Sequence, residues 1–196
     1  MPQNLWLAST SVYRKALLEK LTPNFQTAKP EVDETALPGE TAQALVERLA
    51  IAKACAIADK LNNGLVIGSD QVALFNGAIL GKPHTAENAY RQLKAFSGHK
   101  VTFLTGLAVV NAATAEVSHC VEPFYVHFRE LSDDDIHTYI KREQPLNCAG
   151  SFKSEGLGIT LFSRLEGDDP NSLIGLPLIK LHQLLKQQGR DLLLQP

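Results

Sequence analysis

The sequence predicts an α/β fold: a mixed sheet with flanking helices. Two observations carry the prediction. Apolar strand-like runs alternate with helical patterns through the first half of the chain, which implies parallel crossovers, and two long strand patterns in the middle flank one short polar turn, which implies an antiparallel pair. At 196 residues and 44% hydrophobic, the chain is long enough for one large domain or two closely packed lobes. No internal repeat or low-complexity linker divides it.

The elements follow in order. Residues 4–8 read as a buried strand. Residues 11–21 read as a helix whose apolar face is Ala16, Leu17, Leu18 and Leu21. A second strand over 24–29 leads into Pro30-Glu31-Val32-Asp33-Glu34 and a loop break at Pro38-Gly39. An alanine-rich helix runs from Thr41 to about Asn62, where Asn62-Asn63-Gly64 closes it. The strand at 65–75 turns at Asn76-Gly77, a pair that favours a two-residue hairpin. A helix over 85–96 starts at Thr85 and stops at Ser97-Gly98, and strands at 100–110 and 117–128 flank the turn at 111–115. Ser132 with Asp135 makes a capping box for a helix reaching about Arg142. A single last helix is expected from Ser172 to Gln188, with Leu173, Leu176, Ile179 and Leu184 on its apolar side.

A net charge of −2, with no like-charge run longer than Asp133-Asp134-Asp135, leaves no electrostatic footprint for duplex nucleic acid or an anionic membrane. Charged partners should be small and locally bound. Cys55, Cys120 and Cys148 are odd in number and widely spaced, against a disulfide framework or structural zinc and in keeping with a reducing cytoplasm. No apolar run approaches the roughly 20 residues that cross a bilayer, so a soluble, unprocessed protein is expected.

The candidate chemistry lies at the breaks in the pattern. Ser9-Thr10-Ser11 between a strand and a helix puts hydroxyls, free backbone N–H groups and the positive helix end at one point, with the Arg14 guanidinium nearby. Phosphate suits such a site, although for this pattern taken alone Ser11 as a plain N-cap and Arg14 as a solvated first-turn residue is the more common case. Asp70 interrupts an otherwise apolar strand, and a buried carboxylate is costly unless paired, protonated or metal-bound. Glu31, Asp33 and Glu34 form either a set of oxygen ligands for a divalent ion or a plain acidic loop. Lys53 falls about 40° from Leu49 on the helical wheel, at the edge of the apolar stripe, where it either snorkels or reaches toward a phosphate or Asp70. Lys82, in Gly81-Lys82-Pro83 on a stiff loop, is either a fixed cation near the same strand or a solvated loop lysine. Together these describe a polyphosphate site worked by metal-assisted attack of water. GxxxxGK[ST], GxGxxG, GxSxG and HExxH are all absent, which removes the P-loop, dinucleotide, serine-elbow and zincin routes.

Leu7-Ala8-Ser9-Thr10-Ser11 with Arg14, Val32-Asp33-Glu34, Arg48-Leu49-Ala50 with Lys53-Ala54, Gly68-Ser69-Asp70, Gly81-Lys82-Pro83, Ser97-Gly98, Cys148-Ala149-Gly150 and Gly175-Leu176-Pro177 recur in the order seen in Maf nucleotide pyrophosphatases. The resemblance spans nearly the whole chain, so residues 1–196 are expected to form a single Maf-like domain. It implies an inosine triphosphatase-like fold with two lobes around a central cleft, a cytoplasmic location and the homodimer that is frequent in the family, the sequence itself leaving the oligomeric state open. It also implies hydrolysis of nucleoside triphosphates to monophosphate and pyrophosphate, with magnesium, manganese or cobalt as the divalent cation. Carried over by position, Asp70 is the proton acceptor, Glu34 and Asp70 bind metal, and Ser9, Arg14, Lys53 and Lys82 contact phosphate.

Tyr13, Gln71 and Glu155 stand where the family branches differ. The branch acting on dTTP and UTP carries arginine, threonine and glutamine there; this chain is similar to the branch acting on 7-methyl-GTP. It departs in one respect, carrying Val12-Tyr13 where that branch often has proline and tryptophan, which makes a smaller stacking surface. The physics agrees with the assignment: the cationic methylated purine favours an aromatic face, and a glutamate can accept from the guanine N1–H and amino group. The alternatives are the dTTP/UTP activity and a non-catalytic nucleotide-binding regulator of cell division.

Overall fold

A computed structural model describes residues 4–194. The strands are β1 (Leu5–Ala8), β2 (Gln26–Ala28), β3 (Leu65–Phe75), β4 (Ala78–Leu80), β5 (Lys100–Asn111), β6 (Val117–Phe128) and β7 (Phe162–Glu166). The helices are α1 (Val12–Glu19), α2 (Ala42–Ala58), α3 (Ala86–Phe96), α4 (Asp133–Glu143), α5 (Pro170–Ile174) and α6 (Leu178–Gln187). Among the described residues the strands form one mixed sheet in the order β2-β1-β3-β5-β6-β7, with β4 paired to β3. β1 is parallel to both β2 and β3, whereas β3–β4 and β6–β7 are antiparallel, as an α/β chain with early crossovers and later hairpins requires. Asn76 (φ 49°) and Gly77 (φ 79°) make the two-residue turn expected between β3 and β4.

The chain divides into two compact units, to both of which β3, β5 and β6 contribute residues. The first comprises 1–71, 105–122 and 169–196. Its strands sort their side chains by parity. Leu5, Leu7, Leu65, Ile67, Leu107 and Val109 pack with Leu17 and Leu18 of α1 and with Leu178, Leu181, Leu184 and Leu185 of α6. Ala8, Val66, Ala108 and Val110 pack instead with Ala50, Ala54, Ile57 and Ala58 of α2. The second unit, 72–104 and 123–168, has an aromatic core in which Phe96, Phe128, Phe152 and Phe162 contact one another in tilted and edge-to-face geometry at 4.8–5.7 Å.

Two expectations need correction. The helix begun at Thr41 ends at Ala58, before the Asn62-Asn63-Gly64 signal. The single helix expected over 172–188 is two helices, because Gly175 takes φ 120° and Pro177 starts α6; the glycine leaves helical space and the proline cannot donate into a continuing turn. β7 and the 3-10 turns at Ala149–Ser151 and Leu157–Leu161 carried no clear periodic signal. No helix among the described residues is long and apolar enough to cross a membrane.

Candidate active site

The site in the first unit starts from a close approach of backbones. A Cβ on Gly68 of β3 would lie 2.1 Å from the Ala50 carbonyl of α2, and one on Gly106 of β5 would lie 2.1 Å from the Val46 carbonyl. Only hydrogens on these two strand positions let α2 lie this deep on the sheet. Lys53, one turn beyond Leu49, is thereby carried to the strand. Its Nζ donates to Asp70 Oδ1 at 2.7 Å and lies 2.8 Å from Glu34 Oε1. Lys53 is 6% exposed and Asp70 8%, so each offsets the other's desolvation, while Glu34 is largely open to solvent. Of the alternatives for Lys53, the structure takes the one directed at Asp70.

The loop carrying Glu34 is held from α2 as well. Arg48 donates to both carboxylate oxygens of Glu40 at 2.6 and 2.8 Å and to the Thr35 carbonyl at 3.1 Å. Glu40 also accepts from the Leu37 N–H at 2.9 Å. The bidentate Arg48 bond, aided by that N–H, lowers the Glu40 carboxyl to about 2. Asp33 accepts from the Thr35 N–H at 2.9 Å, and hydrogen bonding from the Thr35 side chain first and this N–H second lowers its pKa, while Glu31 is exposed. Of the three acids, only Glu34 therefore joins the lysine.

At the end of β1, Ser9 is buried and accepts from the Ser11 N–H at 3.1 Å, while Ser11 caps α1 by accepting from the Arg14 N–H at 3.3 Å. The Arg14 Nε donates to the Gly175 carbonyl at 2.8 Å. Burial lowers the Arg14 pKa, and the charges of Asp70 and Glu34 pull it back up, which puts this guanidinium in the field of both carboxylates. The Ser69 hydroxyl lies 2.9 Å from two carbonyls, Gly175 and Gly106; having one proton, it serves one at a time. Gln71 donates through Nε2 to Thr105 Oγ1 at 2.9 Å and to the Ser172 and Leu173 carbonyls at 2.7 and 3.2 Å. Its amide nitrogen is thus spent on the C-terminal carbonyls of α5. Tyr13 is 38% exposed on α1.

Ser9, Arg14, Glu34, Lys53, Asp70 and Gln71 accordingly share the first unit. Lys82 and Glu155 are exposed residues of the second, with Glu155 on the loop between the two 3-10 turns. Among the described residues no group of three or more His, Cys, Asp and Glu side chains is placed to hold a metal ion. Two carboxylates are nevertheless the usual protein share of a magnesium-type site completed by substrate phosphates, and Glu34 with Asp70 fits that donor set.

A family model described as Maf-like protein matches residues 4–188. The chain belongs to the Maf-like family. This Maf-like protein is 60% identical over 191 residues to the 7-methyl-GTP pyrophosphatase of Colwellia psychrerythraea, an alignment covering 97% of the chain and 96% of the relative. It is 58% identical over 193 residues to the 7-methyl-GTP pyrophosphatase of Pseudoalteromonas translucida, covering 98% and 96%. Among solved structures, the Staphylococcus aureus Ham1 protein matches with a TM-score of 0.53 at 16% identity, over 96% of this chain and all of that one. That likeness is one of fold, and it agrees with the mixed α/β architecture expected from the sequence.

Sequence reasoning on this Maf-like protein missed the supporting residues: Arg48 and Glu40, Gly68 and Gly106, and the Gly175 carbonyl. Their signals were present in part. Arg48, Gly68 and Gly175 all stand in the ordered segments that carry the family resemblance, and Gly175-Leu176-Pro177 is a helix break legible from its glycine and proline alone.

Proposed function

We propose that this chain hydrolyses 7-methyl-GTP to 7-methyl-GMP and pyrophosphate as a metal-dependent pyrophosphatase, residues 1–196 acting as one Maf-like domain. The observation that supports it most is the buried Lys53 held between Asp70 and Glu34 beside Arg14, in a chain about 60% identical to two proteins named for that activity. Water attacks the α-phosphorus, the bond to the bridging oxygen breaks, and pyrophosphate leaves with the electron pair. Asp70 takes the water's proton as general base. Arg14, held at Nε by Gly175, keeps its terminal N–H groups for phosphate oxygens, with the Ser9 hydroxyl, Lys53 and Lys82 as further phosphate contacts. Glu34 and Asp70 would hold the divalent cation, which when bound draws charge off the phosphate oxygens. Tyr13 offers an aromatic face to the cationic purine, Glu155 accepts from its N1–H and amino group, and Gln71 supports the selectivity. The partner is the nucleotide rather than duplex nucleic acid or a membrane; a homodimer in the cytoplasm completes the reading.

The test is pyrophosphate release from 7-methyl-GTP, GTP, UTP and dTTP with magnesium, manganese or cobalt. Preference for 7-methyl-GTP is expected. Preference for UTP or dTTP would move the chain to the other branch, and no release with any cation would make it a binding protein.

A further inference from the structure

The loop bearing Glu155 is tied to α4 on both flanks. On one side the Lys153 N–H donates to the Tyr139 hydroxyl at 3.0 Å, and Lys153 Nζ donates to the Glu143 carbonyl at 2.7 Å. On the other side the Leu157 N–H donates to Glu143 Oε1 at 3.0 Å. Residues 153 and 157 each lie two positions from Glu155, and Tyr139 and Glu143 are one helical turn apart, so a single helix face holds both ends of the five-residue segment. The Gly156 N–H closes the turn onto the Lys153 carbonyl at 3.3 Å. The backbone packs closely at Gly158: a Cβ there would lie 2.3 Å from the Lys153 carbonyl and 3.1 Å from the Tyr139 oxygen. The helix is itself anchored, by the Ser132–Asp135 capping box and by Arg129 bonded to both oxygens of Asp135 at 3.0 and 3.1 Å. Tyr139 is 2% exposed, and its burial pushes the hydroxyl pKa up, so it remains a neutral acceptor.

We infer that Tyr139 and Glu143 are positioning residues that fix the Glu155 loop and thereby set selectivity for the base. The inference rests on the base-reading role proposed for Glu155. A carboxylate accepting two N–H groups from a purine edge discriminates only while its geometry is held, and an exposed side chain on a free loop would spread over many positions. Removing either side-chain tie loosens one flank of the loop, with the bond from Lys153 Nζ to the Glu143 backbone carbonyl retained, and does not touch the residues proposed to act on phosphate.

The experiment compares kcat/KM for 7-methyl-GTP and UTP in the parent, Tyr139→Phe, Glu143→Ala, Glu143→Gln and Glu155→Gln. Tyr139→Phe and Glu143→Ala are expected to lower the 7-methyl-GTP to UTP ratio by about tenfold, mostly through KM. Glu143→Gln should restore much of the ratio, since its amide oxygen still accepts from Leu157. If Glu155→Gln lowers the ratio and Tyr139→Phe leaves it unchanged, the positioning role is overturned while base reading stands. If Glu155→Gln leaves the ratio unchanged, base reading fails and the inference falls with it. Equal losses on both substrates in Tyr139→Phe, as from a damaged fold, also overturn it.

Discussion

Lys53 and Asp70 meet at 2.7 Å because two backbones touch first: Gly68, two residues before Asp70, has no side chain to hold α2 off β3. The geometry of the candidate site in the first unit is therefore set by an absence. A lysine on the fourth turn of α2 reaches a strand carboxylate only if helix and strand are closer than ordinary side chains allow.

Asp70→Asn keeps the shape and removes the proposed proton acceptor. Turnover should fall by about a hundredfold to ten-thousandfold with the fold retained, since Lys53 still has Glu34. Stopped-time pyrophosphate assays beside thermal melts check both halves; near-parent turnover would remove Asp70 from its role.

Glu34→Gln should behave differently. In the proposed role of cation ligand, its loss should raise the metal concentration needed for half-maximal rate, and excess metal should partly restore turnover. A metal titration of the variant that stays flat at every concentration would count against ligation.

Gly68→Ala forces the new methyl into the Ala50 carbonyl, an overpacking that should cost about 1–3 kcal/mol and lower the melting midpoint. Activity should fall as well, through Lys53. A double-mutant cycle isolates that route: the alanine should cost less activity in a Lys53→Ala background than in the parent. Additive losses would mean that the glycine supports the fold alone.

Tyr13→Ala and Glu155→Gln separate the two proposed base contacts. The first should cost more for 7-methyl-GTP than for GTP, because only the methylated ring carries the charge that rewards an aromatic face. The second should weaken both guanine nucleotides by about 1–3 kcal/mol of transition-state binding and spare UTP and dTTP. Measured kcat/KM across the four substrates decides it, and equal losses on all would show residues that do not read the base.

Acid should expose the Arg48 clamp. Its bond to Arg48 lowers the Glu40 carboxyl from 4.5 to about 2 in the folded protein, so its contribution to stability is fully present above pH 4.5 and disappears as pH falls through about 2. Glu40→Gln should melt lower than the parent at neutral pH, with the gap closing across that window. A gap that does not change with pH would mean that the carboxylate charge contributes nothing.

Periodicity and caps made most elements legible. Thr41, Thr85 and the Ser132–Asp135 pair mark real helix starts, and Asn76-Gly77 marks a real hairpin, because each signal is satisfied within a few residues of chain. The same locality explains the errors. Apolar spacing over 172–188 continued through Gly175-Leu176-Pro177 and hid the break, and the helix after Thr41 stopped short of its strongest glycine signal.

By itself the sequence determined the kinds of groups available: an acid within an apolar strand, a lysine at the edge of an apolar stripe, an arginine after a hydroxyl loop and a glutamate just before Gly156. Only the tertiary structure decided which of them meet. Lys53 pairs with Asp70 and Glu34 rather than with solvent, Gln71 spends its amide nitrogen on α5, and Arg14 is oriented by a carbonyl 161 residues away. Residue type and local spacing set propensity, but a bond between distant residues depends on how closely the elements pack. That distance is fixed here by the missing Cβ atoms of Gly68 and Gly106, whose effect appears only when the helix is laid on the sheet.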